Sequence, residues 1–210
     1  MYQTEFLTIA VAHLFAVASP GPDFAVVLRH SVNEGHTAGI WTSAGIALGI
    51  LLHVTYCVLG VALLVSSSEQ LFLIARLAGG IYLIVLGIRA VQASFRPLTT
   101  LNVAVSPTRR NRRAWLITGF LTNGLNPKAT LFFLALFSAV IDLQTPVPVQ
   151  AAYGLYLAIA TFAWFALLSN VLGNSRVRSW LLRSGSWFER IMGIVLIALA
   201  ILLLARVRRG

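Results

Sequence analysis

The sequence predicts an all-α integral membrane protein of six transmembrane helices, built as two inverted three-helix repeats, with helices 1 and 4 broken at Pro20 and Pro127. Three observations carry that expectation. The 210 residues are 58% hydrophobic and 10% charged, with a mean hydropathy of +0.84. That leaves too little polar surface for a soluble domain of this length. The apolar residues fall into six runs, each near the roughly 20 residues a helix needs to cross a bilayer. Finally, a helix-starting signal, a small polar residue followed by proline, occurs twice in the middle of such a run. The two are Ser19-Pro20-Gly21-Pro22-Asp23 and Asn126-Pro127-Lys128.

The six runs cover about 5–30, 40–65, 71–93, 115–141, 151–172 and 188–206. Polar connectors separate them: Ser66 to Gln70, Arg96 to Arg113, Asp142 to Gln150 and Gly173 to Trp187. No soluble domain or long linker fits between the runs. The chain therefore reads as one transmembrane domain, 1–210, with a first repeat over about 1–95, a basic loop over about 96–114 and a second repeat over about 115–210. Three spans per half is an odd number, so a repeated half inserts upside down. Residue identity between the halves is slight, and the match rests on the shared broken first helix. Met1 to Phe6 carries no Lys or Arg, so it lacks the charged start of a signal peptide, and the first run is expected to be retained.

Charge placement orients the chain. The net charge is +10, and 15 of the 16 basic residues are Arg. They cluster in short segments between apolar runs, which is how topology signals look, and no aromatic-interleaved basic face exists for nucleic acid. Arg96, Arg109, Arg110, Arg112 and Arg113 mark the connector after the third run as cytoplasmic. Alternation then places the Arg29–Gly39 and Gly173–Arg190 segments inside too, and Glu5, Glu69 and Asp142 outside. Arg206, Arg208 and Arg209 fall outside with both termini, against the charge rule; the interior loops outvote that tail, with five or seven crossings as the alternative. Trp115, Trp180, Trp187 and Tyr153 near the run ends read as an interfacial belt.

The two breaks are where chemistry is expected. At 1.5 Å per residue Pro20 lies about 21 Å along its helix and Pro127 about 18 Å along the other, near the middle of a hydrocarbon core roughly 30 Å thick. Backbone opened at that depth is tolerated only where it faces protein or a watery cavity. A Pro kink used for packing alone is the plainer reading; two matched breaks with polar caps and adjacent charges favour a binding site. Asp23 and Lys128 are the deep charges, each costing at least about 2.5–3.5 kcal/mol unless partnered. They suit either a salt bridge that fixes helix register or the two ends of a zwitterion, and Asp23 can also take a proton. Asn126 reads as a cap, and Asn123 as a ligand or an interhelical tie. His13 and His53 are proton-relay candidates or neutral histidines bonded to neighbouring helices. Gly45 and Gly49, with Gly35 and Gly39 before them, and Gly79, Gly80 and Gly87 read as close-packing positions against other helices.

Several classes are excluded. Cys57 is the only cysteine, so an internal disulfide, a thiolate metal site and a two-thiol relay are ruled out, and the residue reads as core. No nucleophile elbow, metalloprotease motif or phosphate loop occurs, so no enzyme, metal or cofactor is expected.

Ala18-Ser19-Pro20-Gly21-Pro22-Asp23-Phe24, the glycines Gly35, Gly39, Gly45 and Gly49, and Thr122-Asn123-Gly124-Leu125-Asn126-Pro127-Lys128-Ala129 closely resemble the LysE/RhtB amino-acid exporters. The likeness covers essentially the whole chain, and its N-terminal half looks most like the threonine and homoserine efflux members. The resemblance implies a secondary exporter of small amino acids in the bacterial cytoplasmic membrane, driven by the proton motive force. Its two motifs map onto Ser19 to Asp23 and Asn126 to Lys128. The expected partners are an amino-acid substrate, a proton gradient and the lipid bilayer, with homo-oligomerisation left open. Two alternatives stand beside it: a divalent-cation exporter of similar three-plus-three architecture, which needs several deep carboxylates, and a structural membrane subunit that transports nothing.

Overall fold

A computed structural model describes residues 2–67, 69–95, 111–142, 144–172 and 174–207. Among the described residues there are eight helices and no strand. They are α1 (Tyr2–Ala18), α2 (Pro22–Glu34), α3 (His36–Ser67), α4 (Glu69–Ala93), α5 (Arg112–Gly124), α6 (Pro127–Val140), α7 (Val147–Val171) and α8 (Ser175–Val207). Four contain a stretch long and apolar enough to cross a membrane: His36–Gly60, Leu73–Ala93, Val147–Val171 and Ser184–Leu202. The α1–α2 pair, bent by 52° at its break, makes a fifth if it counts as one span. Length and apolarity thus support four or five crossings, against the six expected; α5 and α6, at 13 and 14 residues, are each too short alone.

Helices reach further than the apolar runs suggested. Only Gly35 separates α2 from α3, so the segment read as an Arg29–Gly39 connector is nearly all helix. Its φ of +93° is the left-handed region that a residue without Cβ adopts freely. The segment from Gly173 to Trp187 was expected as a connector, yet α8 begins at Ser175 and runs 33 residues. No proline interrupts it, and an arginine-bearing helix end is stable in water outside the apolar layer. Arg112 and Arg113 likewise open α5 rather than belonging to a loop. The basic loop at 96–110, and Arg208 and Arg209, lie outside the described residues.

The helices pack through glycines. A Cβ on Gly45 would sit 2.0 Å from the Leu116 carbonyl oxygen, and one on Gly119 2.1 Å from that of Thr42, so α3 and α5 meet backbone to backbone. Gly87 of α4 and Gly193 of α8 make the same kind of contact, each Cβ position lying 2.7 and 2.5 Å from the other's carbonyl oxygen. Among apolar spans, where lipid is as apolar as a side chain, such close approach supplies the dispersion energy that holds helices together. A large buried cluster joins α1, α3, α4, α6, α7 and α8, and a smaller one joins α2, α3 and α7.

Polar knots tie the bundle at two places. At the first, the buried carboxylate of Glu5 on α1 accepts from the Asp142 backbone N–H (3.0 Å) and the Thr145 hydroxyl (2.9 Å), just beyond α6. Tyr153 of α7 donates to Glu5 at 3.3 Å and to the Tyr2 carbonyl at 3.0 Å, so this tyrosine is a buried tie rather than part of an interfacial belt. At the second, Trp115 Nε1 at the start of α5 donates to Glu34 Oε2 at the end of α2 (2.9 Å). The start of α1 therefore meets the end of α6, and the end of α2 meets the start of α5.

Candidate functional site

Both breaks open onto one cavity of about 70 Å³. From the first break, Ser19, Gly21, Pro22 and Asp23 line it; from the second, Asn123, Asn126 and Lys128. His13 lines it too, whereas Pro20, Pro127 and His53 do not stand on its wall.

The first break is left open. Ser19 was expected to cap the second half-helix, but its backbone N–H still bonds back to the Phe15 carbonyl at 3.2 Å, so it ends α1 instead. Gly21 takes the cap position in extended conformation, with no side chain serving the free N–H groups, and Pro22 begins α2. Ser19 is 5% exposed and its hydroxyl has no partner. Asp23, in the first turn of α2, accepts from Asn123 Nδ2 through one oxygen at 2.8 Å, while its other oxygen is buried and unpartnered. Burying such atoms unpaired is unfavourable, and native structures keep few of them.

The second break is closed. The Leu125 N–H returns to the Leu121 carbonyl (3.0 Å), and Asn126 Oδ1 accepts from the Lys128 backbone N–H (3.0 Å), as a cap does. Lys128 extends from the first turn of α6, where the helix dipole disfavours a cation. The fields of two carboxylates act on it, those of Glu189 and Asp23. Neither forms a direct salt bridge with it among the described residues, so the register-fixing ion pair considered for Asp23 and Lys128 is not made; both instead face the cavity.

Asn123 connects the halves. It is 1% exposed, its amide holds Asp23, and its side chain lies over Gly49, where a Cβ would come 2.5 Å from Oδ1. His53 Nε2 donates to the Asn123 carbonyl (3.0 Å), its Nδ1 takes the Tyr56 hydroxyl, and its ring stacks on Phe133 at 5.6 Å. His13 Nε2 is hydrogen-bonded to Thr161 Oγ1 on α7 (2.9 Å). Both histidines are thus bonded to neighbours.

With this arrangement in view, the relatives are informative. The family model for the LysE type translocator matches residues 14–206, nearly the whole chain and both breaks. The chain belongs to that family. Among relatives of this translocator, the threonine efflux protein of Escherichia coli (strain K12) is 26% identical over 190 residues, covering 90% of this chain and 91% of that protein. The threonine efflux protein of Salmonella typhi is 28% identical over 193 residues, with the same shares of 90% and 91%. The leucine efflux protein of Salmonella choleraesuis (strain SC-B67) is 33% identical over 144 residues, or 68% of this chain and 66% of that one. No solved structure matches the translocator significantly.

Two acidic residues of the translocator escaped the sequence reading. Glu189, beside Arg190 at the start of the last run, drew no reading of its own from the sequence, yet it is half-buried and acts on Lys128. Asp23 is therefore not the only carboxylate at depth. Glu5 reads as an outer-loop charge, and its burial follows from partners 137 to 148 residues away. A carboxylate inside an apolar run, at Trp187-Phe188-Glu189, was the available signal for the first.

Proposed function

We propose that this translocator is a secondary exporter of amino acids across the bacterial cytoplasmic membrane, and not an enzyme. Its relatives are named for threonine and leucine efflux. The observation that carries the reading is an acid, an amine and an unpartnered hydroxyl converging on one cavity at two helix breaks. An amino acid carries the complementary set. Its ammonium would take the free oxygen of Asp23, and its carboxylate would take Lys128 with the uncapped N–H groups of α2. An ammonium side chain in the cavity does not suit a divalent-cation cargo.

The full reading has six crossings, with α1–α2 and α5–α6 as the broken first helices of two inverted repeats, 1–95 and 115–210. In support, the start of α1 meets the end of α6, and the end of α2 meets the start of α5. That is the antiparallel placement an inverted pair requires. Export against a gradient would draw on the proton motive force, with Asp23 receiving a proton once the ammonium has left. Its pairing to Asn123 rather than to Lys128 leaves it able to do so.

Proteoliposomes loaded with amino acids test the proposal. Asp23→Asn and Lys128→Ala should each abolish gradient-driven flux in protein that still purifies as a folded species. Flux at the wild-type level in both variants would remove these residues from the mechanism.

A further inference from the structure

Asp23 and Asn123 make an incomplete hydrogen-bonded pair. Asn123 Nδ2 donates to one Asp23 oxygen at 2.8 Å, and the remaining oxygen of each side chain is buried without a partner. Both residues line the cavity, one from each break. A carboxylate and an amide oxygen only accept, so neither can satisfy the other. Ser19 Oγ, also unpartnered, differs because a hydroxyl brings its own hydrogen. We propose that Asp23 and Asn123 together form the seat of one proton: bound to the free oxygen of Asp23, it is donated to Asn123 Oδ1 and closes an eight-membered acid–amide ring. The inference rests on the export reading above, which gives Asp23 a proton but gives Asn123 no part in holding it.

Economy is the first reason. A single hydrogen placed there satisfies two buried acceptors at once and takes a negative charge out of apolar surroundings. Fit is the second. Carboxyl and amide are planar groups with similarly spaced polar atoms, so a second bond can run beside the first. The terminal torsion of an aspartate is soft, which lets the carboxyl turn into register. The third is a fixed partner. The Asn123 carbonyl accepts from the Asn126 N–H at 2.9 Å and from His53 Nε2 at 3.0 Å, and its side chain lies against Gly49. The amide is therefore held while the carboxyl adjusts.

An amide serves both states of the acid. Its N–H meets the carboxylate, and its N–H and C=O together meet the carboxylic acid. The proton and a substrate ammonium then claim the same Asp23 oxygen, so one is held at a time. The other ionisable groups around the seat are Lys128 of α6 and His13 of α1 on the cavity wall, His53 of α3 behind Asn123, and Glu189 of α8, which acts on Lys128. From α7, Thr161 and Phe165 reach the wall, and neither titrates.

Infrared difference spectra of the full-length protein in lipid, recorded across a pH titration, test the ring. Wild type should give a protonated-carboxyl band that Asp23→Asn removes and that saturating threonine or leucine diminishes. Asn123→Ala should move the band to higher frequency, because the acid loses its acceptor. The exchanged pair, Asp23→Asn with Asn123→Asp, should return it to the wild-type position, and this variant decides the matter if the alanine variant fails to fold. In proteoliposomes, Asn123→Ala should lower the ratio of proton-driven flux to counterflow about 10-fold, the worth of one buried hydrogen bond. A purely structural role for Asn123 would lower both fluxes alike and leave the ratio where it is. A band unmoved by Asn123→Ala, an exchanged pair without the band, or no band that depends on Asp23 would overturn the shared seat while leaving amino-acid export standing. No flux of any amino acid by the wild type, by contrast, would sink the export reading itself.

Discussion

The α1–α2 and α5–α6 breaks begin from similar sequence signals and end differently. At the second, Asn126 occupies the cap, Leu125 closes the preceding helix, and Thr130 Oγ1 adds a bond to the Asn126 carbonyl at 3.1 Å. At the first, Gly21 takes the cap with no side chain to offer, and Ser19 holds a hydroxyl with nothing to bind. Spacing differs as well. A Cβ on Gly21 would meet only the Ser19 carbonyl, at 3.9 Å, whereas one on Gly119 of α5 would strike the backbone of α3. The second break is capped, with Asn123 Oδ1 its one buried side-chain atom left unpartnered; the first is uncapped and leaves both Ser19 Oγ and an Asp23 oxygen open. A proline within an apolar run therefore marks where a helix is interrupted, and the residues around it decide whether the interruption is scaffold or site.

Four substitutions sharpen or break that contrast. Gly119→Ala should have the largest effect, destabilising by about 1–3 kcal/mol or more because backbone must shift to admit the methyl. Thermal unfolding in detergent measures it, and an unchanged midpoint would mean α5 is not pinned. Gly49→Ala comes next. Its methyl displaces Asn123, so it should cost about 1–3 kcal/mol and also weaken amino-acid transport through the lost hold on Asp23. Normal flux with normal stability would show that Asn123 does not position the carboxylate. Asn126→Ala removes a working cap and should cost about 0.5–2 kcal/mol. Ser19→Ala should stay within about 0.5 kcal/mol of wild type, since no bond is lost, yet raise the KM for substrate about tenfold. Equal stability losses from the Asn126 and Ser19 variants would erase the distinction between the two breaks.

Much of this is legible in the sequence, for physical reasons. Proline removes a backbone donor wherever it falls, so the interruptions near Pro20 and Pro127 could be located from local chemistry. Asp23 and Lys128 stood out because charges are rare at such depth. Asn123 and Asn126 divided as the two offered roles suggested, one a tie and one a cap. What depended on distant partners did not show. Ser19 read as a cap because its neighbours look like a helix start, and only the fold reveals that Gly21 takes that role. Tyr153 and Glu5 read as residues of a wet boundary, and their pairing across 148 positions buries them. The backward reach of α8 to Ser175 was hidden because apolar content marks what lies in lipid, not where a helix stops.

The contact between Gly87 and Gly193 has a consequence for motion. With two main chains touching, a small slide of α4 against α8 would drive backbone atoms together, so a motion of either helix is expected to carry the other with it. Leu86 and Met192 each adjoin one of those glycines and both face the cavity. On the export reading, a tilt that opened the cavity first to one side of the bilayer and then to the other would carry that pair together and leave their part of the wall unchanged.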